Sequence, residues 1–244
     1  MLKRASSTVA VLAFAVAPLA VATPASASHT TITGASVSNF VYGTQSSRTF
    51  TVTVKVDTES PEETDVSFSL EPANPKCVMF EYGDLRWTSG RTFTGRVLLT
   101  QSDLYDGNAC AGDWKLETNA IDFSAAGGYD DDARIVRFKR QSRIVNHNAS
   151  PEPVKPGGTV RVTADLQRAN WNTFKYGALG GRSTTLQFKR TGGSYAKIKT
   201  VTSSSTGHLS ASVQQSRSGC YRWVFPGFST TASSTSAVDC VAVG

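Results

Sequence analysis

Apolar and polar residues alternate with a period of two along most of the chain, and no window after residue 27 reads as an amphipathic helix. In Thr49–Val56 every second residue is Phe or Val, so these side chains share one face. Comparable runs follow at Asp65–Leu70, Thr92–Leu99, Ala133–Arg140, Thr159–Leu166, Thr184–Arg190, Lys197–Val201, His208–Val213, Cys220–Phe225 and Ala237–Val243. Because Gly, Ser, Pro and Asp turns separate these short strands, the pattern predicts an all-β protein built of antiparallel sandwiches.

The alternation stops and restarts around NASPEPVKPGG, residues 148–158. Proline cannot donate a hydrogen bond to a strand ladder, and the Gly157–Gly158 pair favours a turn into a new strand. The charge changes sign at the same place. Residues 28–146 carry 12 Lys/Arg against 16 Asp/Glu, a net charge of −4, whereas residues 147–244 carry 11 against 3, a net charge of +8. We therefore predict two tandem sandwiches, an acidic one over 28–146 and a basic one over 147–244.

The first 27 residues have the features of a cleaved secretory signal peptide. Lys3 and Arg4 precede the apolar run Val9–Ala22, and Ala25–Ala27 is a small-residue cleavage site. The run is shorter than the roughly 20 residues that a membrane-spanning helix needs, and no later segment is long and apolar enough. We expect an extracellular protein without a membrane span.

Four segments of the second half carry a resemblance to a known family: residues 148–160, LQRANW at Leu166–Trp171, LQFKR at Leu186–Arg190 and GCYRWVF at Gly219–Phe225. Together they resemble a tandem immunoglobulin-like module of secreted Gram-positive bacterial proteins, many of them uncharacterised. The resemblance covers about the last hundred residues; it implies an Ig-like sandwich and an extracellular location, and it implies no activity. Together with the restart of the strand pattern, it leads us to expect two tandem Ig-like antiparallel sandwiches. Tyr221 looks like a tyrosine corner, and Trp223 stands where antibody domains have their second core cysteine.

Four cysteines fit an oxidising compartment and allow three pairings. Cys220 and Cys240 lie symmetrically about Thr230, so two strands paired across that loop would place them opposite each other. We favour Cys220–Cys240 and, with it, Cys77–Cys110. The absence of C-x-x-C or Cys/His spacing argues against a metal site built on cysteines.

Motifs for catalysis are absent from the sequence. There is no G-x-S-x-G, H-E-x-x-H or P-loop, and His29, His147 and His208 stand in no context typical of a nucleophile–base pair. We expect no enzymatic activity and no cofactor. The clustered carboxylates Asp130, Asp131 and Asp132 indicate an acidic turn. Such a turn is either simply solvated or a candidate calcium site, although its spacing is not that of an EF-hand loop.

Candidate ligand contacts lie in the basic half. Trp171 and Tyr176 flank a polar, loop-like segment that could stack on a sugar ring, or simply pack over the end of the sandwich. Arg182, Lys189 and Arg190 supply positive charge around a predicted strand.

These observations predict a secreted, non-catalytic binding or structural protein of the cell surface or extracellular matrix. The expected partner is an anionic cell-wall polymer or another secreted protein. No nucleic acid is expected, because no recognised nucleic-acid motif accompanies the basic residues. Two alternatives remain. One is a protease inhibitor acting through a disulfide-braced loop at Cys77 and Met79, and the other is a glycan hydrolase using a pair of carboxylates.

Overall fold

A computed structural model describes residues 30–124 and 127–244, which fold into two successive β-units. The predicted signal peptide and His29 lie outside the described residues. Two short 3-10 helices, Pro61–Glu63 and Gly107–Cys110, interrupt the strands of the first unit. No helix in the described ranges is long and apolar enough to cross a membrane. The strands of the first unit are β1 (Thr31–Val37), β2 (Val41–Tyr42), β3 (Ser47–Asp57), β4 (Thr64–Pro72), β5 (Glu81–Ser89), β6 (Thr92–Thr100), β7 (Gly112–Asp122) and β8 (Gly128–Arg140).

The first unit is a sandwich whose two sheets are joined through β5. Strands β1, β3 and β6 form one layer, and β4, β7 and β8 form the other, with β2 running parallel to the end of β8. Residues 81–85 of β5 pair with β4, and residues 86–89 pair with β6. A strand that changes sheets in this way makes a corner of the sandwich, so hydrogen bonding is continuous through all eight strands.

The core of the first unit follows from the alternation. The four inward apolar residues of β3 are at most 1% exposed, and the three of β4 at most 5%. Phe138 of β8 lies among the aromatic rings of Phe40, Phe50 and Trp114, with centroids 4.3 to 5.9 Å away. Edge-to-face and stacked contacts at these distances add to the stabilisation from apolar burial.

The second unit is a separate two-sheet sandwich with its own core. Its strands are β9 (Ser142–Ser150), β10 (Gly158–Asn170), β11 (Lys175–Ala178), β12 (Ser183–Arg190), β13 (Ala196–Thr202), β14 (His208–Gln215), β15 (Gly219–Phe225), β16 (Ser234–Thr235) and β17 (Asp239–Val241). Strand β10 pairs with β9, β11 and β14, while β12 and β15 lie between β13 on one side and β16 and β17 on the other.

In the letters used for Ig-like sandwiches, β9, β10 and β14 are strands A, B and E of one sheet. The other sheet has the order C′-C-F-G, formed by β13, β12, β15 and β17. The first unit has the same order, with β1, β3 and β6 as A, B and E and with β4, β7 and β8 as C, F and G. Strand β5 pairs with both C and E, so it takes the places of C′ and of strand D, the neighbour of E. The prediction of an all-β protein with two tandem Ig-like sandwiches is therefore confirmed by the strand pairing itself. The inward residues Tyr221, Trp223 and Phe225 of β15 are at most 2% exposed, as their alternation predicts.

The predicted position of the domain boundary needs correction. Strand β9 begins at Ser142 and pairs with β10, so residues 146 and 147 lie inside a strand of the second unit. The Pro/Gly segment 151–157 connects β9 to β10 and is a loop within the second unit. Proline and glycine interrupt strands equally well in loops and between domains, and the sheet pairing places the boundary at Gln141 instead.

The two units are joined closely at that boundary. Gln141 is the single residue between β8 and β9, and both of its backbone groups are bonded, N–H to the Tyr42 carbonyl at 2.9 Å and C=O to the Ala169 amide at 2.8 Å. Trp171 follows β10 of the second unit but is fully buried in the core of the first. Its ring lies 4.7 Å from that of Phe138, and its indole N–H donates to the Tyr42 carbonyl at 3.1 Å.

Candidate functional site

The outer surface of the β13–β12–β15 sheet presents fixed cations. Because Leu186 and Phe188 point into the core, Gln187 and Lys189 of β12 point outward. Arg222 of β15 lies opposite Gln187 and donates from Nε to its side-chain oxygen at 2.8 Å. We call Lys189, Lys197, Arg222 and Tyr195 the basic face.

Tyr195 holds two of these cations in place. The Arg222 guanidinium carbon lies 3.8 Å from the Tyr195 ring centroid, and the Lys189 ammonium lies 5.1 Å from it. Contacts of this kind are attractive because the ring face is electron-rich. None of the ion pairs formed within the described residues involves Lys189, Lys197 or Arg222. These positive charges are thus positioned without a carboxylate to neutralise them.

A basic cleft adjoins this face at the open edge between the two sheets. It is a depression of about 290 Å³ with an apolar floor that includes Phe188, Ile198 and Val213. Arg190 and Arg217, both exposed, line it, and no acidic residue does. Tyr221 also lines the cleft, and its hydroxyl donates to the Gln215 side chain rather than to backbone. Burial raises the pKa of Tyr221 to about 12, so it remains a neutral donor at physiological pH.

The structure divides the five predicted ligand contacts into two places. Lys189 and Arg190 belong to the basic face and the basic cleft. Arg182 precedes β12, at the opposite end of the strand, where its guanidinium lies 4.4 Å from the Phe228 ring. Tyr176 is half-buried at the junction, and its hydroxyl donates to the Gln141 side-chain oxygen at 2.6 Å. The Arg143 guanidinium carbon lies 3.8 Å from its ring centroid.

Of the two alternatives considered for Trp171, the structure does not form the stacking surface, because the side chain is 0% exposed. The neighbouring polar residues Asn170 and Asn172 bind Asn108 across the junction and do not frame a sugar site. Trp171 is instead a core residue of the other unit, in line with the packing alternative considered for this segment.

Both predicted disulfides are present in the structure. Cys220 and Cys240 are direct cross-strand partners on β15 and β17, as their symmetry about Thr230 predicts. Cys77–Cys110 ties a loop after β4 to the 3-10 helix Gly107–Cys110. Asp106 lies beside this second bridge, but its carboxylate accepts from the Val78 amide at 2.8 Å. Cysteines bonded to each other offer no thiolate, so these three residues do not form a metal site.

The candidate calcium site is also wrong in its geometry. Asp130, Asp131 and Asp132 lie within β8 rather than in a turn, and successive side chains of a strand point to opposite faces. Asp130 accepts from the Ile32 amide at 2.7 Å, and Asp132 pairs with Arg134. The three carboxylates do not converge on one position.

Two of the three histidines lie in the described residues, and each has a local partner. His208 Nδ1 lies 2.9 Å from the Asp165 carboxylate, which also accepts from the Asn146 side chain. His147 Nδ1 lies 2.7 Å from the Ala237 carbonyl, and burial lowers the pKa of His147. Among the described residues, the His208 imidazole has no serine partner, and the His147 imidazole has only Ser236, whose hydroxyl lies 3.4 Å from Nδ1.

The two alternative functions meet the structure differently. Cys77 and Met79 are buried, so neither can enter a protease, whereas Val78 and Phe80 of the same loop are exposed. An acidic depression of about 390 Å³ lies over β4, β5, β7 and β8 and includes Asp84, Glu117 and Asp131. The hydrogen bond and charge of Lys115 lower the pKa of Glu117, which opposes a role as proton donor.

Comparisons with known proteins give no assignment. No family model and no curated protein matches the chain. Among solved structures, the chain is similar to the D0–D1 domains of intimin, with 10% identity, a TM-score of 0.31 and coverage of 86% of this chain and 98% of that one. It is also similar to dimeric latent PorU from Porphyromonas gingivalis, with 12% identity, a TM-score of 0.31 and coverage of 88% and 20%. Similarity at this level carries no argument about function.

Sequence reasoning did not identify Arg222, Tyr195 or Arg217 as site residues. Arg222 had a readable signal, since it stands between the inward residues Tyr221 and Trp223 and must therefore point outward. Tyr195 and Arg217 lie in short connections outside the strands, where no period indicates a direction.

Proposed function

We propose that this protein is a secreted, non-catalytic binding module that engages an anionic extracellular polymer through the basic face and the basic cleft. The observation that carries the proposal is the Lys189–Tyr195–Arg222 cluster, in which an aromatic ring holds two cations that form no ion pair within residues 30–124 and 127–244. Such charges are available to an incoming anion without first breaking an internal ion pair. Two disulfides support an oxidising, extracellular location.

The polymer is expected to lie across the sheet surface and to place an anionic group near Arg190 and Arg217. Attraction between exposed charges is screened over roughly 8 Å at physiological salt, so binding must weaken as salt rises. The apolar floor of the cleft gives the polymer backbone a surface to pack against and adds a contribution that salt does not screen.

The test is a titration of the chain from residue 28 with a phosphodiester polymer and with a carboxylated glycan, at low and high salt. The variant K189Q/K197Q/R222Q should weaken binding at least tenfold. The matched control, K55Q/R86Q/R96Q, removes the same charge from the acidic unit and should bind as the unmodified protein does. Equal loss in both variants would mean that net charge alone governs association and that the basic face is not the site.

A second candidate is inhibition of a protease by the loop before β5. The loop is braced by the Cys77–Cys110 bridge and exposes Val78 at 64% and Phe80 at 53%. Incubation with proteases that cleave after apolar residues, followed by measurement of residual activity, tests this function. Inhibition by this loop would be excluded if the proteases stayed fully active and cleaved the chain after Phe80.

A further inference from the structure

Three arginines from different elements converge where the two units meet. Arg140 ends β8, Arg168 lies near the end of β10, and Arg182 precedes β12. The guanidinium carbons of Arg168 and Arg182 lie 5.8 and 4.4 Å from the ring centroid of Phe228, in the loop between β15 and β16. Arg168 Nη1 also donates to the Thr231 hydroxyl of that loop at 3.1 Å. We call these three residues the junction arginines.

The same loop holds Arg140 by its backbone. The Arg140 amide donates to the Thr230 carbonyl at 3.1 Å, and the Arg140 carbonyl accepts from the Ala232 amide at 2.9 Å. The loop therefore contacts Arg140 of the first unit through the backbone, and Arg168 and Arg182 of the second unit through their side chains.

No carboxylate neutralises this cluster. Within the described ranges, none of the ion pairs includes a junction arginine. Burial, and then the charge of Arg168, lowers the pKa of Arg140 to about 10. Burial, and then the charge of Arg182, lowers the pKa of Arg168. The charge of Arg168 thus acts on Arg140, and the charge of Arg182 acts on Arg168, across a partly desolvated region. Such an arrangement is unfavourable unless a counter-charge binds.

An unused donor points to the same conclusion. Arg140 Nη1 donates to the Asn108 side chain at 2.6 Å, but Arg140 Nε is buried and has no hydrogen-bond partner. Buried donors are nearly always bonded, and an exception calls for an unplaced acceptor. Arg182 is exposed, whereas Arg140 and Arg168 are partly buried, so the cluster is open to solvent at the Arg182 end.

We propose that the junction arginines bind one oxyanion, a phosphate, sulfate or carboxylate group. Planar guanidinium groups match the geometry of such anions, and up to three of them would share one charge. The site draws Arg140 from the first unit and Arg168 and Arg182 from the second, so the anion would bridge the units. It is separate from the basic face and does not depend on the proposed function.

The experiment uses the whole chain from residue 28, with inorganic phosphate and then poly(glycerol phosphate) as probes, at constant ionic strength set with chloride. NMR of the arginine Nε–H groups should show a saturable shift of the Arg140 signal. The melting temperature should rise by about 4 °C at ten times the dissociation constant. Both responses should be lost in R168Q and R182Q. R161Q is the matched control, because Arg161 lies on β10 but contacts Ser210 far from the junction.

The two probes distinguish the source of the anion. A response to inorganic phosphate would show that the junction arginines bind a free ion. A response to the polymer alone would show that they bind an anionic group carried by a polymer chain. No response to either probe, or a response that persists in both R168Q and R182Q, would overturn the site. Because R182Q changes an exposed side chain, it should fold even if R168Q does not. Loss of polymer binding in K189Q/K197Q/R222Q with an intact phosphate response would separate this site from the basic face.

Discussion

Replacement of Trp171 by alanine should destabilise the unit to which this residue does not belong in sequence. The indole is fully buried, packs against Phe138 and Tyr42 of the first unit, and donates to the Tyr42 carbonyl. Removal of a buried Trp side chain costs about 3–5 kcal/mol, because the transfer free energy is lost and a cavity remains. The unpaired carbonyl of Tyr42 adds to this cost unless water reaches it.

The expected result for W171A is a fall in melting temperature of about 6–20 °C, measured by calorimetry. Hydrogen exchange followed by mass spectrometry should locate the change. Peptides around Tyr42 and Phe138 should exchange faster, although they are more than 30 residues away from position 171 in sequence. Peptides of β12 and β15 should change less, since the second core does not contain Trp171.

The control is W87A, which removes the same side chain from an exposed position. Trp87 is 46% exposed and donates only to the Gly90 carbonyl within its own hairpin. Its loss should cost about 1 kcal/mol or less. If W171A costs no more than W87A, or if faster exchange is confined to the second unit, the burial of Trp171 in the first core is not what joins the units.

Three further predictions concern the boundary, a disulfide and a histidine. A fragment of residues 142–244 should melt cooperatively and at a higher temperature than residues 151–244, since the shorter fragment lacks β9 and its buried Ile144 and Ala149; equal melting temperatures would contradict the placement of β9. The double variant C220S/C240S should lose about 3 kcal/mol in denaturant unfolding, because the bridge closes a loop with a sequence separation of 20; an unchanged midpoint would refute this. Burial lowers the pKa of His147 in the folded state, so below about pH 6.5 the unfolded chain binds more protons than the folded chain does. The free energy of unfolding should therefore decrease as the pH is lowered through this range. The variant H147Q should flatten that decline, and an identical pH profile would show that His147 is not its source.

The alternation of side chains predicted the fold because a strand with one buried face shows that burial in its own short run of sequence, as apolar and polar residues in turn. Thr49–Val56 shows this clearly, since each inward residue is apolar and each outward residue is polar or charged. Strand β5 was not predicted, because it changes partners along its length and only Leu85 among its nine residues is buried. A strand exposed on both faces over most of its length has no period to detect.

The site was less predictable because its contacts are distant in sequence. Trp171 and Tyr42 are 129 residues apart, and nothing near either residue indicates the other. The polar neighbours of Trp171 favoured a loop interpretation, yet they bind across the junction. The basic charge of the second half was visible from composition, but its division into a face, a cleft and the junction arginines depends on which strands lie side by side.

The single-residue connection at Gln141 has a mechanical consequence. A flexible linker between two modules extends when the chain is pulled. Here one residue spans only about 3.3 Å, and both its amide and its carbonyl are already bonded to the folded units. No free length is therefore available to extend under tension, and the force acts directly on β8 and β9, the strands on either side of Gln141. The two units should therefore transmit tension to each other without the extension of a linker.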